Sequence, residues 1–494
     1  MTVDPRTPVL IGYGQVNHRD EIDPATRSVE PVDLMAVAAR EAADARVIEA
    51  VDSIRVVNVL SAHYRDPALL LGERLGVEGF STRYSPVGGN VPQTLVNQAC
   101  LDIQAGRAGV VLLAGAETWR TRRGLKAKGG RLEWTVQDES VPLGEVTGED
   151  IPMFGDAELK SGLNLPAFVY PLFEQALRIA NGESVDDHLR RVSELWARFN
   201  AVAVENPHAW IRKPVTAEEI RRPGPQNRMI SWPYTKLMNS NNMVDQGAAL
   251  VLASAEEAQR LQVPADRWVY PHAGTDAHDT PSIAERDELH RSAAIRIAGA
   301  RALQLAGLGI DDVDYVDLYS CFPSAVQVAA AELGLSTDDP ARPLTVTGGL
   351  TFAGGPWSNY VMHSIATLAE LLVANPGRRG LITGNGGYLT KHSFGVYSTE
   401  PPASFRWEDA QPDVDREPTR EGLVEWDGVG TVEAWTTPFD RDGQPEKAFV
   451  AVRTPDGART LAVIADPGAA EATVREDIGG AKVAVTPDGI ASLR

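Results

Sequence analysis

The chain contains two cysteines, Cys100 and Cys321, and a cysteine thiolate is the strongest candidate for a nucleophile. Cys100 lies inside the helical pattern QACLDI rather than at a helix start, where the helix dipole lowers the pKa of a thiol. We interpret it as a small buried hydrophobe. Together with Cys321 it is too little for a disulfide framework or a zinc ribbon. The nine histidines show no metal-ligand spacing with acidic residues, so no metal site is predicted.

Backbone amides and basic side chains offer more for binding than the thiols do. Glycine pairs precede two helical segments, at Gly88–Pro92 and Gly354–Pro356, where free N–H groups could receive a carbonyl or an anion. Tight packing of strand against helix is the alternative. Two groups of basic residues stand apart in sequence, and a solvated charged face is the other interpretation of each. They are Arg120, Arg122, Arg123, Lys126 and Lys128, and then Arg212, Lys213, Arg221, Arg222 and Arg228.

Length and composition place these residues in a large globular protein. The chain has 494 residues, of which 43% are hydrophobic and 23% are charged, an ordinary balance for such a protein. The net charge of −20 would repel polyphosphate backbones, so no nucleic-acid partner is predicted. No apolar run approaches the ~20 residues of a membrane-spanning helix, and the first residues lack a signal-peptide layout. With so few cysteines, we expect a cytoplasmic protein without a membrane partner.

Short apolar strands alternate with helices over most of the chain, which predicts an α/β layered fold. Strands are predicted at Ser53–Leu60 and Gly109–Leu113, and helices at Val32–Ala43 and Pro92–Gln104. Residues 98–117 and 368–387 share one layout, in which a helix, a Gly-Arg turn and a short strand lead to a glycine-rich end. A duplicated fold is the economical explanation, and coincidence is the alternative.

The alternation is interrupted in two places. Residues from about 120 to 235 carry the basic groups among Pro and Trp, and we predict an inserted lid or loop subdomain there. Pro401 and Pro402 mark a linker. From about Val424 the pattern changes to the period-two strands VGTVEAWTT, KAFVAVRT, RTLAVIA and AKVAV, with Asp-Gly turns. This pattern predicts a small antiparallel β-barrel of the OB type.

Four motifs resemble those of the thiolase superfamily, in particular its sterol-carrier-protein thiolase branch. They are NPHA at Asn206–Ala209, DQGAA within Asn239–Ser254, YSCF at Tyr319–Phe322 and VTGGLTFAGGPWSNY at Val346–Tyr360. The resemblance covers about residues 5–400. With the added barrel, it is greatest to thiolase-like proteins of type 1 that carry an additional C-terminal domain. It implies a duplicated, five-layer αβαβα thiolase fold.

The resemblance also implies the domain limits and the assembly. Residues 1–120 plus 231–275 would form the first thiolase half, 121–230 the lid, 276–400 the second half and 401–494 the barrel. Family members usually dimerise through the strand before the nucleophile, here Ser81–Gly88. Pro86 cannot donate to such a ladder, so a monomer is slightly favoured over a homodimer. The barrel could recruit a protein partner.

The resemblance locates four reactive positions, and this chain has changed all of them. The nucleophilic cysteine of the family falls on Gly89, and the histidine that activates it falls on Gly355. The late acid/base cysteine falls near Thr383, and Tyr319 heads the YSCF motif where family members have His or Asn. Cys321 matches a cysteine that is not the nucleophile in the branch. A covalent acyl-enzyme, and with it ordinary thiolase activity, is therefore not expected.

Three functions remain open after these replacements. The first is a binder of coenzyme A or acyl-CoA in lipid metabolism, an acetyl-CoA acetyltransferase-like acyltransferase by fold alone. Its ligand would meet Gly89 and Gly355, and its phosphates would meet Arg212, Lys213, Arg221, Arg222 and Arg228. The second is a retro-aldolase or other C–C lyase on a CoA thioester, with Tyr319 and then His392 as proton carriers. It resembles thiolase-like aldolases that carry Tyr at this position. The third is a non-catalytic scaffold that binds a partner.

Overall fold

The computed structural model describes residues 3–494. Its strands are β1 Pro8–Asn17, β2 Ser53–Val56, β3 Ser81–Tyr84, β4 Val110–Thr118, β5 Met229–Trp232, β6 Tyr234–Thr235, β7 Asp245–Ser254, β8 Tyr270–His278, β9 Tyr315–Asp317, β10 Arg379–Gly386, β11 Lys391–Ser398, β12 Arg406–Asp409, β13 Gly422–Leu423, β14 Gly428–Pro438, β15 Ala448–Arg453, β16 Arg459–Ile464, β17 Lys482–Val485 and β18 Ala491–Leu493. Its α-helices are α1 Pro31–Ala42, α2 Ala45–Glu49, α3 Pro67–Leu75, α4 Val91–Gln104, α5 Trp119–Ala127, α6 Asp156–Ser161, α7 Pro166–Ala180, α8 Val185–Glu205, α9 Ala217–Arg221, α10 Ala255–Arg260, α11 Ala293–Ala306, α12 Pro323–Leu333, α13 Gly349–Phe352, α14 Tyr360–Ala374, α15 Gln411–Val414 and α16 Pro467–Arg475.

The first sheet has the strand order β1-β7-β4-β2-β3. β7 runs antiparallel to β1 and β4, whereas β2 is parallel to β4 and β3. Every residue of β4 and β7 is buried, which matches their near-continuous apolar runs VVLLA and AALVLA. Strands covered on both faces read in this way, because neither face meets solvent.

The second sheet repeats this plan with the order β12-β8-β11-β10-β9. Helices α4 and α14 pack on each other between the two sheets, while α1 covers the outer face of the first sheet and α11 that of the second. The result is the predicted five-layer αβαβα arrangement. The repeated stretches 98–117 and 368–387 become the equivalent units α4–β4 and α14–β10. The duplicated α/β fold is confirmed.

Helices α5 to α9 lie in the insertion between β4 and β5. In this lid, α7 packs on α12 of the second half and on β14 of the C-terminal domain. Strand β5 also leaves the lid to pair with β14, with Trp232 opposite Thr437. The second sheet extends past both expected limits of the second half, 276 and 401. Its strand β8 begins before the first limit, at Tyr270, and its strand β12 lies beyond the second, from Arg406.

The C-terminal domain contains the four predicted strands, β14 to β17, and two short ones that were not predicted, β13 and β18, in the order β13-β16-β15-β14-β17-β18. This sheet keeps two edges, and one bridge between Val463 and Ile490 joins its two sides. A closed OB-type barrel is therefore not confirmed. The domain has its own apolar core, in which the rings of Trp435 and Trp232 stack with centroids 5.3 Å apart.

None of the helices in residues 3–494 combines the length and apolar character that a membrane crossing requires. The same part of the chain contains no group of three or more His, Cys, Asp or Glu side chains placed to hold a metal ion.

Candidate functional site

A cavity of about 830 Å³ lies where the start of α4 and the β10–β11 turn meet the lid. Its walls are mainly apolar, with Leu60, Phe154 and Leu165 among the contributors, and the backbone of Gly88 and Gly89 forms part of its lining. The charged residues of the lining are Asp150 and Lys391. Cavities of this size and character accept small organic ligands, so we take it as the candidate site.

Gly89 lines this cavity at a point where no larger side chain fits. A Cβ added to Gly89 would come closer than 3.0 Å to the hydroxyl of Tyr319 and to the carbonyl oxygen of Asn385, separations that real Cβ atoms essentially never show. The phenol thus occupies the space into which a nucleophile at this helix start would project. Glycine at 89 and tyrosine at 319 therefore depend on each other, because the tyrosine side chain fits only when residue 89 has no Cβ.

At Gly355, too, side chains of another segment occupy the space that a Cβ would need. A Cβ at this position would overlap the hydroxyl of Ser240 and lie 2.8 Å from Oδ1 of Asn242. Both of these polar side chains line the cavity, whereas Gly355 does not. The Gly355 N–H donates to the carbonyl of Asn241 at 3.0 Å, so the amide expected to receive a ligand is already bonded.

Tyr319 borders the cavity as a neutral phenol. Its residue is only 8% exposed, and its ring meets that of Tyr360 edge to face at 5.5 Å. Burial raises the pKa of Tyr319 well above its usual value. The hydroxyl can donate a hydrogen bond but does not serve as a base near neutral pH. Thr383 lies behind it, since its Oγ1 accepts from the Tyr319 N–H at 2.9 Å.

Cys321 also lines the cavity, beside an amide that sequence reasoning missed. Burial raises the pKa of the Cys321 thiol to about 12, so little thiolate forms near neutral pH. Asn385 places its Nδ2 3.8 Å from this sulfur and 3.0 Å from the hydroxyl of Tyr170. Cys100 is fully buried in α4, and burial raises the pKa of its thiol too. Neither thiol is placed as a nucleophile.

His392 and Lys391 are neighbours on β11 with different positions. Lys391 lines the 830 Å³ cavity, whereas His392 does not. Both border a smaller cavity of about 190 Å³. His392 is 2% exposed, its Nε2 lies 3.8 Å from the Asp279 carboxylate, and burial lowers its pKa to about 4. The structure therefore puts Lys391, and not the expected His392, at the candidate site.

The basic lid residues expected to meet phosphates lie outside the cavity lining. These are Arg212, Lys213, Arg221, Arg222 and Arg228. Arg222 pairs with Glu218 at 2.9 Å, and Arg212 Nε donates to a backbone carbonyl at 3.2 Å. A ligand would have to extend beyond the cavity lining to reach them.

Another cavity, of about 620 Å³, lies between α11 and the linker around α15. Two arginines of its lining are paired with carboxylates of the same lining, Arg291 with Glu332 and Arg296 with Glu417, each at 2.6 Å. It holds none of the four reactive positions. The chemistry-bearing residues point instead to the cavity at Gly89.

Two family models match parts of the chain. One describes the additional C-terminal domain of thiolase-like protein type 1 and matches residues 409–490. The other describes a thiolase C-terminal domain-like unit and matches residues 275–357. An acetyl-CoA acetyltransferase of Methanothermobacter thermautotrophicus is 25% identical over 216 residues, which are 39% of this chain and 54% of that protein. The chain thus spans about half the length of this relative.

Two solved structures resemble most or all of the chain. The Ltp2–ChsH2(DUF35) aldolase shares 20% identity and a TM-score of 0.59, covering 80% of this chain and 99% of that chain, and shows likeness of fold alone. The monomeric SCP2-thiolase-like protein type 1 of Mycobacterium smegmatis shares 33% identity and a TM-score of 0.84, and each chain covers 100% of the other. By this full-length match, the chain belongs to the thiolase superfamily, within the family of SCP2-thiolase-like proteins of type 1.

Proposed function

We propose that the 830 Å³ cavity binds a coenzyme A thioester without forming an acyl-enzyme. The observation that carries this proposal is the filling of the nucleophile's space beside Gly89 by the Tyr319 hydroxyl and the Asn385 carbonyl. The cavity itself remains large and mainly apolar. The acetyltransferase relative acts on acetyl-CoA by its name, which supports a ligand of this class. The chain keeps a place for an acyl group and lacks the group that would capture it.

The ligand would enter with its thioester end toward Gly89 and Tyr319. Its phosphates would remain outside the cavity lining, and the basic lid residues are proposed to receive them. Attraction of this kind weakens with salt, because exposed charges are screened beyond a Debye length of about 8 Å at physiological ionic strength. Affinity that falls steadily with added salt would support this orientation.

Calorimetric titration with acetyl-CoA tests the proposal directly. We expect binding with one site per chain, and loss of binding when Ala167, which lines the cavity at the start of α7, becomes Trp. Ala180→Trp is the matched control, since Ala180 is an exposed residue at the other end of the same helix. Absence of binding to the wild-type chain, or equal loss in both variants, would refute the placement.

A C–C lyase acting on a CoA thioester is the second candidate. The position of the Tyr319 hydroxyl at the cavity favours it, and the fold is shared with an aldolase. Because the pKa of Tyr319 is raised, the phenol would donate a proton or a hydrogen bond rather than remove one. Release of an aldehyde or ketone from a β-hydroxyacyl-CoA by wild type, but not by Tyr319→Phe, would support a lyase. If neither chain releases product while both bind the thioester, the function is thioester binding without lyase activity.

If no thioester binds to the wild-type chain, a non-catalytic scaffold that binds a partner would be the remaining hypothesis.

A further inference from the structure

Lys391 is a buried cation at the candidate site. It is 4% exposed and lines the cavity, and its Nζ donates to the carbonyl of Val87 at 2.9 Å. Within residues 3–494, no carboxylate oxygen lies within 4.0 Å of this nitrogen. An ammonium group has three donors and carries a full charge, so one carbonyl leaves it incompletely satisfied.

Four acidic residues line the two cavities that Lys391 borders, and none of them forms an ion pair with it: Asp150 in the larger cavity, and Glu149, Asp276 and Asp409 in the smaller. Asp150 acts on it electrostatically but is an exposed residue at the cavity. Asp276, in the adjoining 190 Å³ cavity, accepts hydrogen bonds from Asn97 at 3.0 Å and from Trp407 at 2.8 Å, and a further one from Thr94. Burial lowers the pKa of Lys391, which is the direction expected of an ammonium without a partner.

The Lys391 ammonium lies where it could bind an anionic group of a ligand in the cavity. Lys391 pairs in register with Gly386 and bonds to Val87, two residues before Gly89, so its head group lies at the start of α4. The positive end of that helix dipole favours an anion at the same place. The remaining walls are mainly apolar and contribute one other charged residue, the exposed Asp150.

Resting on the proposed function, we infer that Lys391 selects CoA thioesters whose acyl group carries a carboxylate. Such a carboxylate would supply the counter-charge that the protein itself does not, and the apolar walls would enclose the methylene groups between it and the thioester. A buried charge is stabilised when it is paired and hydrogen-bonded, so the ligand and the lysine would neutralise each other. The residue would act on specificity, whatever the fate of the thioester.

The test compares two thioesters with acyl groups of the same carbon number, succinyl-CoA and butyryl-CoA, by calorimetric titration. We expect the wild-type chain to bind succinyl-CoA at least about tenfold more tightly, the amount that one charge-assisted hydrogen bond contributes. In Lys391→Met this ratio should fall to near one. Lys391→Gln keeps a donor for the Val87 carbonyl but no charge, and the ratio should fall there as well. Lys236→Met, at an exposed lysine, is the control that should keep it.

The outcomes separate this inference from the function beneath it. A wild-type chain that binds both thioesters equally, or a preference that survives in Lys391→Gln, would overturn the role of Lys391 and leave thioester binding intact. A wild-type chain that binds neither thioester would overturn the proposed function itself. Unfolding curves of the variants, taken without ligand, show whether each is folded when its ratio is measured.

Discussion

Gly89 and Tyr319 are fitted to one another, and a side chain at the glycine must displace either the phenol or a backbone carbonyl. We expect Gly89→Ala to lower the free energy of unfolding by about 1–3 kcal/mol, the usual cost of overpacking a dense region. The added Cβ would meet both the Tyr319 hydroxyl and the Asn385 carbonyl, and the carbonyl belongs to a paired strand and cannot swing away. Urea unfolding measures the change.

Gly224→Ala is the matched control for this substitution. A Cβ at Gly224 would meet nothing within 4 Å, and its backbone angle requires no glycine. There the change should be neutral or stabilising by up to about 1 kcal/mol, since alanine restricts the unfolded chain. Equal effects at the two positions would mean that the space beside Gly89 is open.

Whether a residue of the site could be predicted from the sequence depends on how far away in the chain its contacts lie. Gly89 and Tyr319 could be predicted, because the family resemblance locates reactive positions there, whereas Gly355, located in the same way, lies outside the cavity lining. Ser240 and Asn385 could not be predicted, because their roles depend on contacts with residues far away in sequence. The single sequence signal for Lys391 was alternation along β11: neighbouring side chains of a strand point to opposite faces. Knowing which face met the cavity required the register of that strand against β10.

Among the elements, β3 is the strand through which the family resemblance implies that two copies would pair. β3 lies at one end of the first sheet, but residues 145–147, from the later lid segment, already pair with its last residue, Tyr84. Tyr84 N–H donates to the Glu145 carbonyl, and Thr147 N–H donates to the Tyr84 carbonyl, both at 2.8 Å. The sequence had pointed to Pro86, which lies beyond the strand; the segment 145–147 provides a separate reason to favour a monomer.

We therefore predict that light scattering gives a mass near 53.2 kDa for the wild-type chain. Thr147→Pro removes the N–H that donates to Tyr84 and should expose the edge, so that the mass rises with protein concentration. Thr147→Ala keeps the N–H and should behave as wild type. A wild-type mass of twice this value, unchanged on dilution, would show that copies pair despite the covered edge.

Helices α7 and α8 of the lid are joined by a buried ionic contact. His188 Nε2 lies 2.5 Å from a carboxylate oxygen of Glu174, and Nδ1 contacts Glu183. Burial alone would lower the pKa of His188, but the two carboxylates outweigh it and the pKa is raised. A raised folded-state pKa contributes stability below the unfolded value of about 6.5, and that stability is lost as pH rises through the folded value.

His188→Gln should therefore destabilise the protein more at pH 6 than at pH 9. Urea unfolding of both chains at the two pH values gives the difference. His63→Gln, at an exposed histidine, should show no such dependence. A cost for His188→Gln that is constant with pH would mean that the imidazole acts only through packing and neutral hydrogen bonds.

At the scale of the whole molecule, Arg459 connects the C-terminal domain to the second thiolase half. The side chain is fully buried, its Nε and one terminal nitrogen bind Glu433 at 2.7 and 2.8 Å, and it donates to the backbone carbonyls of Ile283 and Asp287. Arg459→Met would leave those carbonyls and part of a buried carboxylate unpaired. We expect a loss of about 3–5 kcal/mol in unfolding free energy.

Arg453→Met is the comparison for Arg459→Met. Arg453 also binds Glu433, at 2.6 Å, but its side chain is 27% exposed. Its loss should cost less than half as much, because water can replace it. Similar costs would show that the buried backbone contacts of Arg459 contribute little.

The pairing of β5 with β14 couples the C-terminal domain to the rate at which a ligand can enter or leave the cavity. β5 pairs with β14, and Arg178 of α7 binds Asp477 through two hydrogen bonds. The lid therefore cannot move outward unless these contacts with the C-terminal domain break. Amide protons of α7 and β14 should then exchange with deuterium at one common rate. A ligand held beneath α7 would slow both together, so occupancy of the cavity would be felt near the far end of the chain.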